Sequence, residues 1–314
     1  MTAQNAPNHT ATDWLTIGAF DGVHRGHQQI IRSLVKGANA SGGKAVVVTF
    51  FPHPAELLNG VNGPFYLTTP EERETLIRQM GVDEVMTIPF TTEFAQKSAN
   101  DFIHDLHHQQ PFVSLLVGPD FHFGSGQQGD TALLADLGTE LGFNLETLPP
   151  FLVDEQVVSS SRIRQEVLKR QMVKVARLLG RWYAVSGEVV HGDGRGKHIG
   201  IPTANVSAWQ KRLIPPSGVY AARVELEQDK LPAVLNIGNR PTFYFPPAEQ
   251  TVEVHILDFQ DDIYGKTIQV EFIEFIRAEK RFESAAELTE QIHRDIQQTR
   301  EVLAHAPQTP DLSA

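Results

Sequence analysis

The first half of the chain alternates short, continuous apolar runs with longer stretches in which apolar residues recur every three or four positions. The runs are LTIGAF (15–20), KAVVVTF (44–50), EVMTIPF (84–90) and VSLLVG (113–118). Runs of this kind predict strands buried on both faces, as in a parallel sheet. Between them HQQIIRSLVKGA, PEERETLIRQM, SANDFIHDLHHQ and DTALLADLGTEL carry helical spacing, so helices cover the sheet. Thr69, Pro70 and Glu72 supply a cap, a first-turn proline and a capping-box acid for the second of these. The stretch LKRQMVKVARLLGRWY (168–183) reads as a basic helix whose cations form a solvated face. After Arg181 the patterns become strand-like, at WYAVSGEVVH, GVYAARVELE, LPAVLNIG, TVEVHILDF and KTIQVEFIEFI, with turn formers such as PPSG (215–218) and DDIYG (261–265) between them. Several strands at this spacing predict a small antiparallel barrel or sandwich. One helix closes the chain, opening at Ser284 with Glu287 as its capping-box partner. Its stripe of Leu288, Ile292, Ile296, Thr299 and Leu303 predicts core packing. The change of character puts a border near residue 180, giving domains at 13–180 and 181–305 and tails at 1–12 and 306–314.

Composition narrows the function. A chain of 314 residues with 41% hydrophobic and 21% charged residues is an ordinary globular composition, long enough for two domains. The formal charge of −11 argues against a nucleic-acid partner, since phosphate backbones need a basic surface. Small phosphorylated substrates need only a few local cations and a metal. The absence of cysteine excludes disulfides, thiolate nucleophiles and cysteine-type zinc sites. No run approaches the roughly 18 apolar residues of a membrane span, and the N-terminus MTAQNAPNHTATD lacks a signal peptide's pattern. The expectation is a cytoplasmic protein with no membrane partner.

Four segments carry candidate chemistry. In LTIGAFDGVHRGHQQII (15–31) a strand ends, the chain turns at Asp21-Gly22, and a helix opens near Gly26 with His24 and His27 three apart. Open backbone N–H groups and the helix dipole draw an anion to such a place, and imidazoles can brace charge developing on a phosphate. A pair of surface histidines is the equal alternative on these residues alone. VSSSRIR (158–164) sets hydroxyls and two arginines in what reads as a first helical turn, where arginine can clamp phosphate oxygens; a helix cap with incidental charges is the plainer reading. GEVVHGDGRGKHIGIPTAN (187–205) is glycine-rich around Lys197, which lets backbone approach phosphate closely. TVEVHILDF (251–259) places Glu253 among apolar neighbours within a strand.

These segments resemble, in order, the motifs of the bacterial bifunctional riboflavin kinase/FAD synthetase family. GAFDGVHRGH is similar to the HxGH phosphate-handling motif of nucleotidyltransferases. FFPHPAELL (50–58) resembles the family's PHP segment, GPDFHFGSGQQGD (118–130) its flavin loop, and VSSSRIR its SSTxIR motif. The second half resembles the kinase signature ending in PTAN, and VEVHxLDF after it; NIGNRPTF, DDIYGK and FIRAEKRF follow in family order. The resemblance implies a Rossmann-like nucleotidyltransferase domain with a parallel sheet, then an antiparallel β-barrel kinase domain closed by a helix. It implies that ATP phosphorylates riboflavin to FMN and that a second ATP adenylates FMN to FAD, with pyrophosphate released and Mg²⁺ as cofactor. The catalytic residues it implies are His24, His27, Arg164 and Glu253, the last as general base. ATP and phosphate contacts fall to Gly18, Phe20, Asp21, Gly22, Ser160, Ser161, Gly192 and Lys197, flavin contacts to His53, Asp120 and Arg277, and metal ligation to Thr203 and Asn205. Phe51, Pro119 and Ser161 stand where the family usually carries other residues. Two further readings are therefore an enzyme active only as the kinase, and a flavin-sensing protein without catalysis.

Two lookalikes are set aside. Gly265-Lys266-Thr267 mimics the end of a phosphate-binding loop, but Gln260 occupies the position of its first glycine. His104, His107 and His108 mimic a metal site but lie on a polar helical stretch with no partnering acids, and read as a solvated face.

Overall fold

The computed structural model describes residues 12–192, 200–227, 229–239 and 250–310. Contacts divide the chain into two compact units, one of Met1–Asn62 and Pro70–Val158, the other of Gly63–Thr69 and Ser159–Ala314.

The first unit holds a five-stranded parallel sheet. Its strands are β1 (Trp14–Ile17), β2 (Ala45–Phe51), β3 (Glu84–Pro89), β4 (Ser114–Val117) and β5 (Asn144–Thr147), in the order β3-β2-β1-β4-β5. This is a doubly wound order that reverses direction between β1 and β4, where the carboxyl ends of neighbouring strands open a crevice. Three of the apolar runs are strands for the reason given, with Leu15, Val46, Val47, Val48, Leu115 and Leu116 all buried, whereas β3 lies at the sheet edge and buries none of its residues fully. One face packs on α5 (Ala99–Gln109) and α6 (Thr131–Leu141) through Phe102, Ile103, Leu134 and Leu137. The other packs on α1 (Arg25–Ser41) and α3 (Pro70–Arg78) through Ile31, Leu34 and Ile77. Short helices α2 (Pro54–Leu58) and α4 (Thr92–Ala95) follow β2 and β3.

Three features of this unit were not expected. β5 is an edge strand with an exposed, polar-ended sequence, NLET, and so carries no apolar run. β6 (Leu152–Val153) and β7 (Gln156–Val157) form a small hairpin turned by Asp154 and Glu155, both at positive φ. The histidine stretch on α5 is not a uniform solvated face: His104 approaches Glu140 at 3.4 Å, while His107 packs on Phe112 and Phe143. Burial holds the His107 imidazole below its usual pKa.

The second unit is a closed barrel with helices on its surface. β8 (Tyr183–Val190), β9 (Ala204–Ala208), β10 (Gly218–Leu226), β11 (Asp229–Asn239), β12 (Gln250–Ile256) and β13 (Thr267–Arg277) close in the order β10-β11-β12-β9-β8-β13. Every pairing is antiparallel. The basic stretch takes in the last residue of α7 (Ser160–Leu168), a break where Arg170 takes φ 61°, and α8 (Met172–Leu179). α8 buries one face through Met172, Val175, Ala176, Leu178 and Leu179, while Val173 is exposed and Lys174 and Arg177 are half-buried. The closing helix α9 (Ala285–His305) is capped by Ser284, whose hydroxyl accepts the Glu287 N–H at 3.2 Å. Ile296, Thr299 and Leu303 pack as expected, Ile296 against Val219 and Val234, Leu303 against Trp182 and Ile273, and Thr299 fully buried. Leu288 and Ile292 instead line a cavity on the barrel's flank. Lys266, of the false phosphate loop, is paired with Glu227 at 2.8 Å.

Candidate active sites

In the first unit the chain turns sharply after β1. Phe20, Gly22 and Val23 take φ of 49°, 82° and 37°. A β-branched residue in the left-handed region is strained, so the turn must be held by its surroundings. The Val23 N–H donates to the Phe20 carbonyl at 3.0 Å, and the Gln28 amide donates to the Val23 carbonyl at 2.9 Å. Below the turn, the Arg73 guanidinium donates to the Ala19 carbonyl at 2.8 Å and the Phe50 carbonyl at 3.1 Å, tying the ends of β1 and β2 together. Arg73 is among the largest fully buried side chains, yet nothing in the pattern of its helix sets it apart from the charged residues beside it, and only its burial reveals it.

His24 is the N-cap of α1. Its Nδ1 accepts the His27 N–H at 3.3 Å. A nitrogen that accepts carries a lone pair, so a neutral His24 holds its proton on Nε2 and presents that atom as donor. The helix opens at Arg25, next to Gly26 as expected, and one of its N–H groups is spent on the histidine. The His27 ring stacks on that of His24, centroids 3.6 Å apart and planes 16° apart, and Phe20 meets it edge-on at 5.0 Å. A Cβ on Gly26 would lie 3.2 Å from the His24 ring, and one on Gly18 would lie 3.1 Å from Phe20, so both glycines leave room for rings. Phe20, Asp21 and His24 are buried. The structure therefore brings Gly18, Phe20, Asp21, Gly22, His24 and His27 together on one turn.

A cavity of about 400 Å³ lies beyond the carboxyl ends of β1, β2 and β3, walled by Ile17, Phe50, Phe90, Phe94, Phe102 and Phe121. Phe121 stacks on Phe123 at 5.5 Å, while Phe50 and Phe94 meet Phe102 at 6.4 and 5.6 Å. Walls of phenylalanine with few polar groups suit a flat, fused-ring ligand. Of the expected flavin contacts, His53 caps α2 by accepting the Ala55 N–H at 3.1 Å, and Asp120 is exposed; neither lines this cavity, though Pro54 and Phe121 next to them do. The aromatic wall went unread because its members come from four separate segments.

Ser160, Ser161 and Arg164 belong to the second unit. The cap of α7 is Ser159, which accepts the Arg162 N–H at 3.2 Å; Ser160 and Ser161 are the first two helical residues. Arg164 therefore stands in the second turn, not the first. Its Nε donates to the Phe65 carbonyl at 2.9 Å and its guanidinium lies 3.6 Å from the Phe65 ring centre, so a stacked aromatic orients it.

On the barrel, Val252, Val254 and Ile256 are buried while Thr251, Glu253 and His255 alternate with them on the other face. The register sets Glu253 opposite Asn205 of β9 on one side and Asn236 of β11 on the other. Two residues 48 positions apart thus become direct neighbours. A Cβ on Gly192 would stand 2.0 Å from the Asn205 amide nitrogen, so the glycine backbone lies against that side chain. A cavity of about 480 Å³ is walled by Glu253, Asn236, Thr203, Arg277, Leu288 and Ile292. A second cavity, of about 230 Å³, is lined by Thr203, Pro202, Val189, Phe259, Asp262 and Tyr264. Thr203 lines both. At the rim of the smaller one Tyr264 stacks on His191, centroids 3.9 Å apart. Arg277 lines the larger cavity but its guanidinium is held by Asp295, a buried residue of α9 that sequence reading passed over. Lys197 lies outside the described residues. Among the described residues no three His, Asp or Glu side chains gather as a metal site.

A family model described as FAD synthetase matches residues 6–162, and one described as riboflavin kinase matches residues 179–303. The bifunctional riboflavin kinase/FMN adenylyltransferase of Escherichia coli K12 is 41% identical over 289 residues, covering 91% of both chains. The chain belongs to the riboflavin kinase/FMN adenylyltransferase family. The Bacillus subtilis protein of the same name is 35% identical over 90% of both chains, and that of Pseudomonas fluorescens 36% identical over 92% of both. A solved structure described as a macrolide-efflux protein from Streptococcus pneumoniae is also similar, 32% identical with a TM-score of 0.84, covering 93% of this chain and 94% of that one. Among the described residues no helix is long and apolar enough to cross a membrane. The expected architecture, a parallel α/β sheet followed by an antiparallel barrel closed by a helix, is the one found.

Proposed function

We propose that this chain makes FMN from riboflavin and FAD from FMN, consuming one ATP in each step. Phosphorylation belongs to residues 181–305 and adenylyl transfer to 13–180. The observation that carries the kinase reading is the pair of cavities sharing Thr203, with Glu253 in the larger one. A phosphoryl transfer needs a pocket for each substrate meeting at the reacting atoms, and a base beside the attacking hydroxyl. Riboflavin occupies the larger cavity with Arg277 in its wall, and ATP the smaller one, helped by Gly192 and Lys197. Glu253 takes the proton of the 5′-hydroxyl as its oxygen bonds to the γ-phosphorus and the bond to ADP breaks. The donor set fits Mg²⁺: the Thr203 hydroxyl and the Asn205 amide oxygen are hard oxygens, few in number, as suits an ion bound largely through its nucleotide. When bound, Mg²⁺ neutralises phosphate charge.

In the adenylyl transfer no covalent intermediate on the protein is needed. An FMN phosphate oxygen attacks the α-phosphorus of ATP and pyrophosphate leaves. The His24 Nε2–H and the His27 ring brace the charge on the transferred group. Gly18, Phe20, Asp21 and Gly22 form the turn that receives it, and the likeness of VSSSRIR to the SSTxIR motif assigns Ser160, Ser161 and Arg164 to phosphate. The aromatic cavity in the same unit supports FMN as the acceptor, with Pro54 and Phe121, the chain neighbours of His53 and Asp120, in its wall. With ATP as its co-substrate, the protein works in the cytoplasm.

The test is to incubate pure protein with riboflavin, ATP and Mg²⁺ and to resolve the flavins by chromatography. FMN appearing first and FAD later supports both activities. FMN without FAD would leave only the kinase, and neither product would leave a flavin-binding protein.

A further inference from the structure

We infer that Asp295 is a positioning residue for the flavin: it holds Arg277 as a fixed part of the wall of the larger barrel cavity. This rests on the reading of that cavity as the riboflavin site.

Asp295 is 3% exposed and lies on the face of α9 that carries Leu288, Ile292 and Thr299, where an apolar residue would serve packing better. It accepts the Arg277 Nε–H at 2.9 and 3.1 Å and an Nη2–H at 2.7 Å, a two-pronged contact. Gln291, one turn earlier on α9, donates to the same carboxylate at 2.9 Å. The remaining Arg277 nitrogen, Nη1, donates to the Ala278 carbonyl at 2.9 Å. All three guanidinium nitrogens are thereby tied, and a long side chain that lines the cavity has one position.

A buried ion pair is weak evidence for a stabilising role, because the desolvation of both charges offsets their attraction. Its position suggests another use. Arg277 ends β13, and Leu288, Ile292 and Asp295 come from the first half of α9. The pair pins that half of the helix to the strand end across the cavity, so the polar wall and the two apolar walls keep a fixed spacing. Without Asp295, Arg277 regains its rotamers and the wall that meets the flavin ring is assembled only part of the time. If the assembled arrangement falls to about a tenth of molecules, apparent affinity falls about tenfold.

The experiment compares wild type with Asp295→Asn and Arg277→Lys. Asparagine keeps the shape and loses the charge; lysine keeps the charge and loses the fork. Riboflavin affinity is read from flavin fluorescence and from KM, alongside kcat, the KM for ATP, and FMN-to-FAD conversion by the same chain as a control for folding. Both variants are expected to raise the riboflavin Kd and KM about tenfold, with kcat at saturating riboflavin and the ATP KM within about twofold of wild type. Unchanged riboflavin affinity in both variants overturns the inference, as does a loss of kcat and thermal stability with KM unmoved, which marks a structural pair. Wild type that binds no riboflavin and makes no FMN overturns the reading of the cavity, and this inference with it.

Discussion

Replacing Gly192 by alanine tests the kinase site at one atom. The new methyl carbon would stand 2.0 Å from the Asn205 amide nitrogen, 2.5 Å from its Cγ and 2.8 Å from its amide oxygen. Ordinary contact between such atoms is about 3.5 Å, so roughly 1.5 Å must be found. The obstacle is the end of a side chain, and the cheapest relief is rotation of the Asn205 amide away from Gly192. An off-rotamer side chain costs about 0.5–1.5 kcal/mol, so the protein stays folded with a small loss of stability. Catalysis is more sensitive. A shift of about 1 Å in a positioned group costs about 10²-fold in rate, equivalent to about 2.7 kcal/mol of barrier. Gly192→Ala is therefore expected to lower FMN formation about 10²-fold, to raise its Mg²⁺ requirement, and to leave FMN-to-FAD conversion within about twofold. The measurement is a Mg²⁺ titration of both half-reactions on one preparation, with thermal unfolding beside it. FMN formation within twofold of wild type at every Mg²⁺ concentration would show that the Asn205 amide has no part in the reaction.

Three further outcomes are expected. Glu253→Ala should reduce FMN formation by about 10²–10⁴-fold while FMN-to-FAD conversion persists; loss of both would contradict independent sites. His24→Ala removes a helix cap and a ring stack, so denaturant unfolding should show a loss of about 1–2 kcal/mol. FAD formation from supplied FMN should fall about 10²-fold in the same variant, with the kinase unaffected. Burial pushes the Tyr220 hydroxyl, which donates to the Pro216 carbonyl, up to about 12. A raised folded-state pKa contributes stability that is whole below pH 10 and is lost as pH rises from about 10 to 12. Wild type should lose stability more steeply than Tyr220→Phe across that window, by at most about 1.4 kcal/mol per pH unit; parallel curves would place the phenol in contact with solvent.

Much of the fold follows from local rules that one stretch of sequence obeys by itself. LTIGAF and KAVVVTF are strands because continuous apolar residues demand burial on both faces, and α9 begins at Ser284 because its hydroxyl accepts an N–H that the helix leaves open. The features that escaped lack such signals. β5 is an edge strand with polar ends, and the β6–β7 hairpin turns on Asp154-Glu155 instead of the Asn-Gly or Asp-Gly pairs that adopt positive φ readily. The break between α7 and α8 falls at Arg170, which takes a left-handed conformation without being glycine.

The sites divide along the same line. His24 and His27 are three residues apart at a helix start, so their proximity is local and was legible as spacing. That His24 spends Nδ1 on capping, and so presents Nε2, was decided by the turn before it. Glu253 and Asn205 became neighbours through the register of β9 against β12, and Asp295 reached Arg277 because α9 lies across the end of β13. Periodicity and caps act over a few residues, and the sequence by itself determined the strands and helices that carry such local signals, and which motifs they carry. Pairings across tens of residues depend on strand register, barrel closure and burial. Only the tertiary structure decided those, because each is a hydrogen-bonding or packing solution reached by the whole unit together.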